Sequence, residues 1–344
     1  MENNRRQFIT TTALASLSIP LLGMKKNVLE EDKLRLPLIK PPALKTGDTI
    51  AISAPAGAVW DDAQIEKFVS IMENSGFQVK RGQTLKEKYG YFAGTDEFRA
   101  SEINKFFLDK SVNAIFCMKG GWGCAKILDK LNFEVIKNNP KVIMGFSDIT
   151  SLLIAINAKT GMATYHGPVG NSGWNDFTIK YVKEVLVDKK IVSYTYPEEE
   201  TDKYYTINEG KATGILVGGN LTVLASMIGS EYLPDWKNKI LFLEETGEEP
   251  YRIDRMLTQL KLAGVLKNIS GFVFGKCVKC EAEEPEKAFT LQQVLEQHIK
   301  PLGIPAFYGA MIGHIVNKYT IPIGINAEID ASTGSIKLLE TAVL

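Results

Sequence analysis

The sequence of 344 residues contains three histidines, His166, His298 and His314, so a mechanism that needs an imidazole base must use one of them. His314 suits a hydrolytic site best, because a serine and an acid in suitable positions accompany it. Ser147 lies where an apolar segment meets an expected helix, and Glu244 ends another apolar segment. A hydroxyl nucleophile, an imidazole base and an orienting carboxylate together perform acyl transfer. These residue types indicate a Ser147–Glu244–His314 hydrolase.

Ser147 follows the apolar strand expected at 142–146. In parallel sheets ligands bind at the carboxyl ends of strands, and a helix amino terminus offers N–H groups and a positive dipole end to an oxyanion. The G-x-S-x-G nucleophile motif is incomplete, because Ile149 replaces its second glycine. On the local pattern alone, helix capping by Ser147, Asp148 and Thr150 is the simpler explanation.

A glycine-rich segment, Lys119-Gly-Gly-Trp-Gly123, follows the strand expected at 114–118. Glycines let the backbone approach a substrate closely, so its N–H groups are candidates for an oxyanion hole. A tight turn between a strand and a helix is the alternative. A phosphate loop is not expected, because no Gly-Lys-Ser/Thr follows.

For Glu244 and His314, too, a structural role is the alternative to a catalytic one. Glu244 is followed by a cluster of acids that would ordinarily be a solvated face: Glu245, Glu248 and Glu249. Its position at the end of a strand favours Glu244 over them. His314 follows Gly313, which predicts a loop from which the ring reaches a cleft, and a structural histidine is the alternative.

The remaining histidines and the cysteines are expected to be structural. His298 falls near the end of a helix expected at 291–299, and His166 either packs or faces the substrate. Cys277 and Cys280 have C-x-x-C spacing, for which packing or a local disulfide is favoured over a zinc or redox site, because Cys117 and Cys124 do not form a second knuckle. The histidines show no H-x-x-x-H spacing, so neither a metal nor a cofactor is expected.

The elements that position these residues alternate along the chain. The first half predicts strands at 48–55, 76–80, 114–118 and 142–146, and helices at 61–75, 96–108, 125–131, 151–157 and 177–187. This alternation indicates a parallel sheet covered on both faces. The second half predicts helices at 221–229, 253–262 and 291–299, and strands at 239–244, 271–274, 319–323 and 335–339. We therefore expect an N-terminal α/β domain at 40–190, an acidic linker at 191–210 and a C-terminal domain at 211–344.

The balance of charges and the N-terminal segment limit the kinds of partner and the location that are expected. The 40 basic and 40 acidic side chains cancel, which argues against nucleic acid. Residues 1–30 read as an export signal and tail, since Arg5-Arg6-x-Phe8-Ile9 precedes a Thr/Ser/Ala/Leu stretch that is too short to span a bilayer. A twin-arginine signal predicts a periplasmic protein that meets the membrane only during export. A disordered tail on a cytoplasmic protein is the alternative.

From residue 44 to the end, the sequence resembles the LD-carboxypeptidase family of serine peptidases, which includes the microcin C immunity peptidases. The order and spacing of several segments carry the resemblance: Leu44-Lys-Thr-Gly-Asp-Thr-Ile50, Phe92-Ala-Gly-Thr-Asp-Glu-Phe-Arg99, Lys119-Gly-Gly-Trp-Gly123, Gly145-Phe-Ser-Asp-Ile-Thr150, His166-Gly-Pro168, Gly218-Gly-Asn-Leu-Thr222, Phe242-Leu-Glu-Glu245, Pro250-Tyr-Arg-Ile-Asp-Arg255 and Gly313-His314.

The resemblance implies a Ser147–Glu244–His314 triad, with an oxyanion hole from the backbone of Asp148 and the Gly120–Gly121 turn. It implies an α/β fold with a flavodoxin-like (class I glutamine amidotransferase-like) N-terminal domain and a mixed α/β C-terminal domain whose sheet is partly barrel-like. The resemblance also implies that the site lies between the two domains of one chain. It further implies that the protein is a homodimer.

The substrate that the resemblance implies is an L-to-D peptide bond, commonly the one that releases D-alanine from a murein tetrapeptide. Lys119 and His166 are candidates for substrate contact. Lys119 departs from the family's usual arginine, and lysine lacks the bidentate fork that holds a carboxylate, so substrate preference is open. The C-x-x-C segment is also outside the family pattern.

Three other functions stay open at this point. The same triad would serve to hydrolyse a peptidyl or aminoacyl conjugate. A non-catalytic periplasmic protein would bind a peptide in the same cleft, but it would have no need of all three triad residues. A metallohydrolase is the least favoured, because the histidines are scattered.

Overall fold

A six-stranded sheet carries the first half of the chain. The computed structural model describes residues 36–197 and 204–344. The strands of this sheet are β1 (Thr49–Ser53), β2 (Gln78–Arg81), β3 (Ala114–Cys117), β4 (Val142–Gly145), β5 (Thr164–His166) and a late strand, β12 (Ile321–Ile323). Their order is β12-β5-β4-β3-β1-β2, and all neighbours are parallel except β12, which runs antiparallel to β5. The continuous apolar runs of β3 and β4 are fully buried, as a sheet covered on both faces requires.

Helices cover this sheet: α1 (Asp62–Asn74), α2 (Asp96–Leu108), α3 (Phe133–Asn138), α4 (Ile149–Thr160) and α5 (Asp176–Leu186). The side chain of Thr95 caps α2 and that of Asn175 caps α5. The helix expected at 125–131 is instead a 3-10 helix, Cys124–Lys130, and Gly123 precedes it with a positive φ of 119°. The sequence pattern does not predict α3 or β5, because both are short.

A second sheet of eight strands carries the other half. It contains β6 (Ser193–Tyr194), β7 (Tyr205–Asn208), β8 (Lys211–Asn220), β9 (Lys239–Thr246), β10 (Gly271–Val278), β11 (Ala306–Ala310), β13 (Asn326–Asp330) and β14 (Ser335–Leu338). Their order is β6-β14-β13-β8-β9-β10-β11-β7. The central pairs β8–β9, β9–β10 and β10–β11 are parallel and the outer pairs are antiparallel.

The helices of this half are α6 (Leu221–Ser226), α7 (Pro250–Leu262) and α8 (Leu291–Ile299). The sheet curls into a half-barrel, so the prediction of an α/β fold with a parallel sheet and a mixed, partly barrel-like sheet is confirmed. Both sheets belong to one compact unit, Pro37–Leu344.

The segment that joins β11 to β12 runs from the second sheet to the first. The strand expected at 319–323 is β12, which pairs with the first sheet although its neighbours in sequence, β11 and β13, belong to the second. The connection from β11 to β12 therefore crosses from one sheet to the other, and it carries His314.

The predicted linker at 191–210 contains β6 and β7, and its residues 198–203 lie outside the described part. The predicted export signal also lies outside it. No helix within residues 36–197 and 204–344 is long and apolar enough to cross a membrane.

Candidate active site

Ser147 occupies a strained turn between β4 and α4. Its φ of 64° lies in the left-handed region, which a residue with a side chain adopts only when the surroundings impose it. Gly145 permits this turn, since a Cβ there would lie 2.8 Å from Cγ2 of Ile149. Ser147 itself is partly exposed, whereas Asp148 is buried. The turn therefore presents a hydroxyl at the carboxyl end of a parallel strand, as a nucleophile elbow does, without the second glycine.

Asp148 does not cap the helix with its side chain, so the capping explanation is not what the structure shows. Its Oδ2 instead accepts a hydrogen bond of 2.8 Å from the backbone N–H of Cys124, at the end of the glycine-rich turn. Burial raises the pKa of Asp148, and hydrogen bonds from the backbone of Cys124 and Gly123 oppose that rise. The carboxylate thus ties the glycine-rich turn to the turn that carries Ser147.

Gly120 packs directly against the candidate nucleophile. A Cβ on Gly120 would lie 2.8 Å from Cβ of Ser147, 3.0 Å from its Oγ and 3.3 Å from the backbone nitrogen of Asp148. Across the described residues, the N–H groups of Gly120, Gly121 and Asp148 donate no hydrogen bond. Free backbone donors beside a hydroxyl are what an oxyanion hole requires.

Arg99 holds the far side of this turn, a role that its residue type and position in the sequence do not predict. The guanidinium is fully buried, and its Nη1 donates to the carbonyl oxygens of Pro55 at 2.5 Å and Gly123 at 2.9 Å. Its Nη2 donates to Oδ1 of Asp96 at 2.6 Å. Arginine in a helix is ordinarily solvated. The one sequence signal for a role of Arg99 is that it lies in Phe92–Arg99, a segment that carries the family resemblance.

Glu244 and His314 form the second half of the site. Glu244 lies in β9 and is fully buried, and its Oε2 lies 2.8 Å from Nδ1 of His314, whose side chain is 25% exposed. Gly313 makes this approach possible, since a Cβ there would lie 2.9 Å from the same Oε2. Burial raises the pKa of Glu244, but the hydrogen bond and the charge of His314 outweigh it and hold the pKa below its usual value. A buried carboxylate on Nδ1 leaves Nε2 free to accept a proton.

The two halves of the site meet at the ends of β4 and β9. The rings of Phe146 and His314 lie 4.8 Å apart, edge to face. The backbone N–H of Asn220, which pairs in register with Glu244, donates to Oγ1 of Thr150 at 3.0 Å. Ser147 Oγ makes no hydrogen bond to His314 within the described residues. Catalytic hydrogen bonds are often long in unliganded enzymes and tighten when substrate binds.

The neighbouring acid has a different role. Glu245 is buried and accepts hydrogen bonds from the side chain of Asn220 and from the backbone N–H groups of Thr222 and Thr246. Its carboxylate therefore holds the start of α6. Of the two buried acids that the sequence left as alternatives, Glu244 is the one that contacts an imidazole.

The other two histidines make packing or structural contacts. His166 is buried, and burial lowers its pKa to about 4, with the charge of Glu244 opposing that shift. Its ring packs edge to face against Phe146 and Phe242, and neither ring nitrogen has a hydrogen-bond partner among the described residues. His298 lies 2.7 Å from Oδ1 of Asp254 and joins α8 to α7.

Lys119 lies next to the glycine-rich turn, and its ammonium donates to the carbonyl oxygen of Ala58 at 3.1 Å. Cys277 and Cys280 form a disulfide, which is one of the two arrangements predicted from their spacing. Cys117 and Cys124 are free and buried. No group of three or more histidine, cysteine, aspartate or glutamate side chains within the described ranges is placed to hold a metal ion.

The fold and the candidate site together are those of an α/β hydrolytic enzyme, with the candidate catalytic side chains where the two sheets meet. The chain belongs to the LD-carboxypeptidase family: residues 50–167 match its N-terminal domain and residues 213–329 its C-terminal domain. Membership makes the protein a peptidase of the carboxypeptidase type.

Named relatives agree with this assignment. The chain is 38% identical over 298 residues to a probable murein peptide carboxypeptidase of Bacillus subtilis, an alignment that covers 85% of this chain and 92% of that protein. The solved structure of the microcin immunity protein MccF with glutamyl sulfamoyl guanosine superposes with a TM-score of 0.82 at 26% identity, covering 90% of this chain and all of the other. The muramoyltetrapeptide carboxypeptidase of Oxalobacter formigenes gives a TM-score of 0.75 at 28% identity, covering 84% and 97%.

Proposed function

We propose that this protein is a serine-type LD-carboxypeptidase that cleaves the L-to-D peptide bond of a murein tetrapeptide and releases the terminal D-amino acid. The hydrogen bond between buried Glu244 and His314, beside the strained turn of Ser147, is the observation that carries the proposal. The similarity to murein peptide carboxypeptidases supports the substrate class.

In this mechanism Ser147 Oγ attacks the carbonyl carbon of the scissile bond while His314 Nε2 takes its proton. Glu244 fixes the tautomer of His314 and stabilises the imidazolium. The free N–H groups of Asp148, Gly120 and Gly121 bind the oxyanion. His314 then gives its proton to the leaving amine, and water hydrolyses the acyl-enzyme by the same steps.

A second substrate class, a peptidyl or aminoacyl conjugate, has its own support in the likeness to MccF, whose solved structure contains glutamyl sulfamoyl guanosine. Both reactions would use the same three side chains and differ only in the group that leaves.

The test is hydrolysis of a synthetic murein tetrapeptide ending in D-alanine, beside its diastereomer ending in L-alanine and an aminoacyl sulfamoyl nucleoside, with products weighed by mass spectrometry. We expect release of D-alanine, little cleavage of the L-alanine diastereomer, and loss of turnover in Ser147→Ala with unchanged circular dichroism. Faster cleavage of the nucleoside conjugate would transfer the proposal to the second class. Turnover that survives Ser147→Ala would remove Ser147 from the mechanism.

We further propose that the protein is exported by the twin-arginine route to the periplasm and acts as a homodimer. Murein peptides occur in that compartment, which agrees with the paired arginines. Replacing Arg5 and Arg6 by lysine should leave the protein in the cytoplasmic fraction. Light scattering of the mature protein should give twice the chain mass, and a monomer would refute the dimer.

A further inference from the structure

Lys318 is a buried lysine next to the site, and its position distinguishes it from another buried lysine, Lys141. Both are less than a tenth exposed, and burial lowers the pKa of each to about 8. Lys141 donates hydrogen bonds to the carbonyl oxygens of Phe106 and Asp109, so its ammonium is satisfied. The ammonium of Lys318 has no hydrogen-bond acceptor or ion-pair partner in residues 36–197 and 204–344.

The side chain of Lys318 is 5% exposed, and within these ranges no protein acceptor satisfies the three N–H donors of its ammonium. The ring of Phe146 contacts the ammonium, and its centroid lies 4.2 Å from Nζ. An aromatic face attracts a cation but supplies no lone pair for a directed hydrogen bond. The ammonium is therefore free to bind an anion that enters the site.

Lys318 lies within the catalytic arrangement. It follows His314 by four residues on the segment that crosses from β11 to β12, and the Phe146 ring that it covers also contacts the ring of His314. The charge of Glu244 raises the pKa of Lys318 and so opposes the effect of burial. Lys141, in contrast, precedes β4 at its amino end, whereas Ser147 follows the carboxyl end of the same strand.

A carboxypeptidase must recognise a free carboxylate one residue beyond the scissile carbonyl, and a cation close to the nucleophile meets that need. We propose that Lys318 binds the terminal carboxylate of the leaving amino acid and so makes the enzyme specific for the last peptide bond. This inference rests on the proposed function, because it names the group that recognises that substrate.

The test compares two substrates, the murein tetrapeptide with a free terminal carboxylate and the same peptide as a terminal carboxamide, in wild type and in Lys318→Met. In wild type the free acid should give the higher kcat/KM. Lys318→Met should lower kcat/KM for the acid about 10-fold to 100-fold and leave that for the amide within about twofold, since only the charge-assisted hydrogen bond is lost. Lys318→Arg should recover part of the preference, and Lys318→Gln provides a second neutral variant.

Lys141→Met is the matched control, because it removes a buried lysine at the other end of β4 and should leave the preference for the acid unchanged. If Lys318→Met slows both substrates equally, Lys318 acts through Glu244 and His314 and the carboxylate assignment is wrong. It is also wrong if the variant slows neither. If wild type cleaves neither peptide, the proposed function itself fails, which is a separate result.

Discussion

Gly120→Ala tests whether the glycine-rich turn exists to make room for the nucleophile. Gly120 does not have a positive φ, so alanine does not strain its backbone and the effect is steric. The new Cβ would lie 2.8 Å from Cβ of Ser147, and ordinary contact begins at 3.4 Å, so the two residues must separate by about 0.6 Å. Because a displacement of about 1 Å at a catalytic group costs about 100-fold in rate, we expect kcat to fall about 10-fold to 100-fold.

The assay is steady-state release of D-alanine from the tetrapeptide, with urea unfolding of the same preparations. Gly173→Ala is the matched control: its φ is not positive, and its nearest neighbour, 3.3 Å away, is Cγ1 of the exposed Val316, which can move. We expect the control to keep its activity and Gly120→Ala to lose at most about 3 kcal/mol of unfolding free energy. Gly120→Ala with wild-type kcat would refute the reasoning.

Glu244→Gln should lower kcat by a factor on the order of 10⁴ with the fold intact, because the amide no longer fixes the His314 tautomer; a fall below tenfold in peptide turnover would contradict this. Replacing His166 by phenylalanine keeps its ring contacts and removes its titration. The pKa of folded His166 is about 4 against 6.5 unfolded, so the unfolded chain binds more protons between these values and stability falls as pH is lowered. Urea unfolding at pH 7 and pH 4.5 should show wild type losing about 2.5 kcal/mol more than His166→Phe, and equal losses would refute the neutral, buried imidazole. Arg99→Met should lose about 3 to 5 kcal/mol in the same measurement, because it leaves buried carbonyls without a donor. A loss below about 1 kcal/mol would contradict that role.

Two of the candidate site residues could be picked out from the sequence because Ser147 follows one strongly apolar strand and Glu244 ends the apolar run of another. The end of a buried strand can be predicted from the run of β-branched and aromatic residues before it. Because the sequence has three histidines, few combinations of serine, acid and histidine had to be considered. The resemblance to a known family then selected among them. The strained φ of Ser147 could not be read in advance, since it depends on Ile149 packing against Gly145.

Contacts that depend on tertiary packing could not be predicted from the sequence. A three-residue strand such as β12 carries no periodic signal that tells which sheet it joins, and its place in the first sheet is what brings Lys318 to Phe146. Arg99 and Lys318 look like ordinary solvated charges in the sequence. Arg99 is buried against the carbonyl oxygens of Pro55 and Gly123, and Lys318 against the ring of Phe146, and these are contacts between residues far apart in the sequence.

Covalent labelling by a fluorophosphonate tests most directly whether Ser147 is activated by His314. Peptide mass mapping should find one adduct, on Ser147, and the labelling rate should fall about 100-fold or more in His314→Ala and be absent in Ser147→Ala. An adduct on another residue, or labelling of Ser147 at the wild-type rate without the imidazole, would contradict the account.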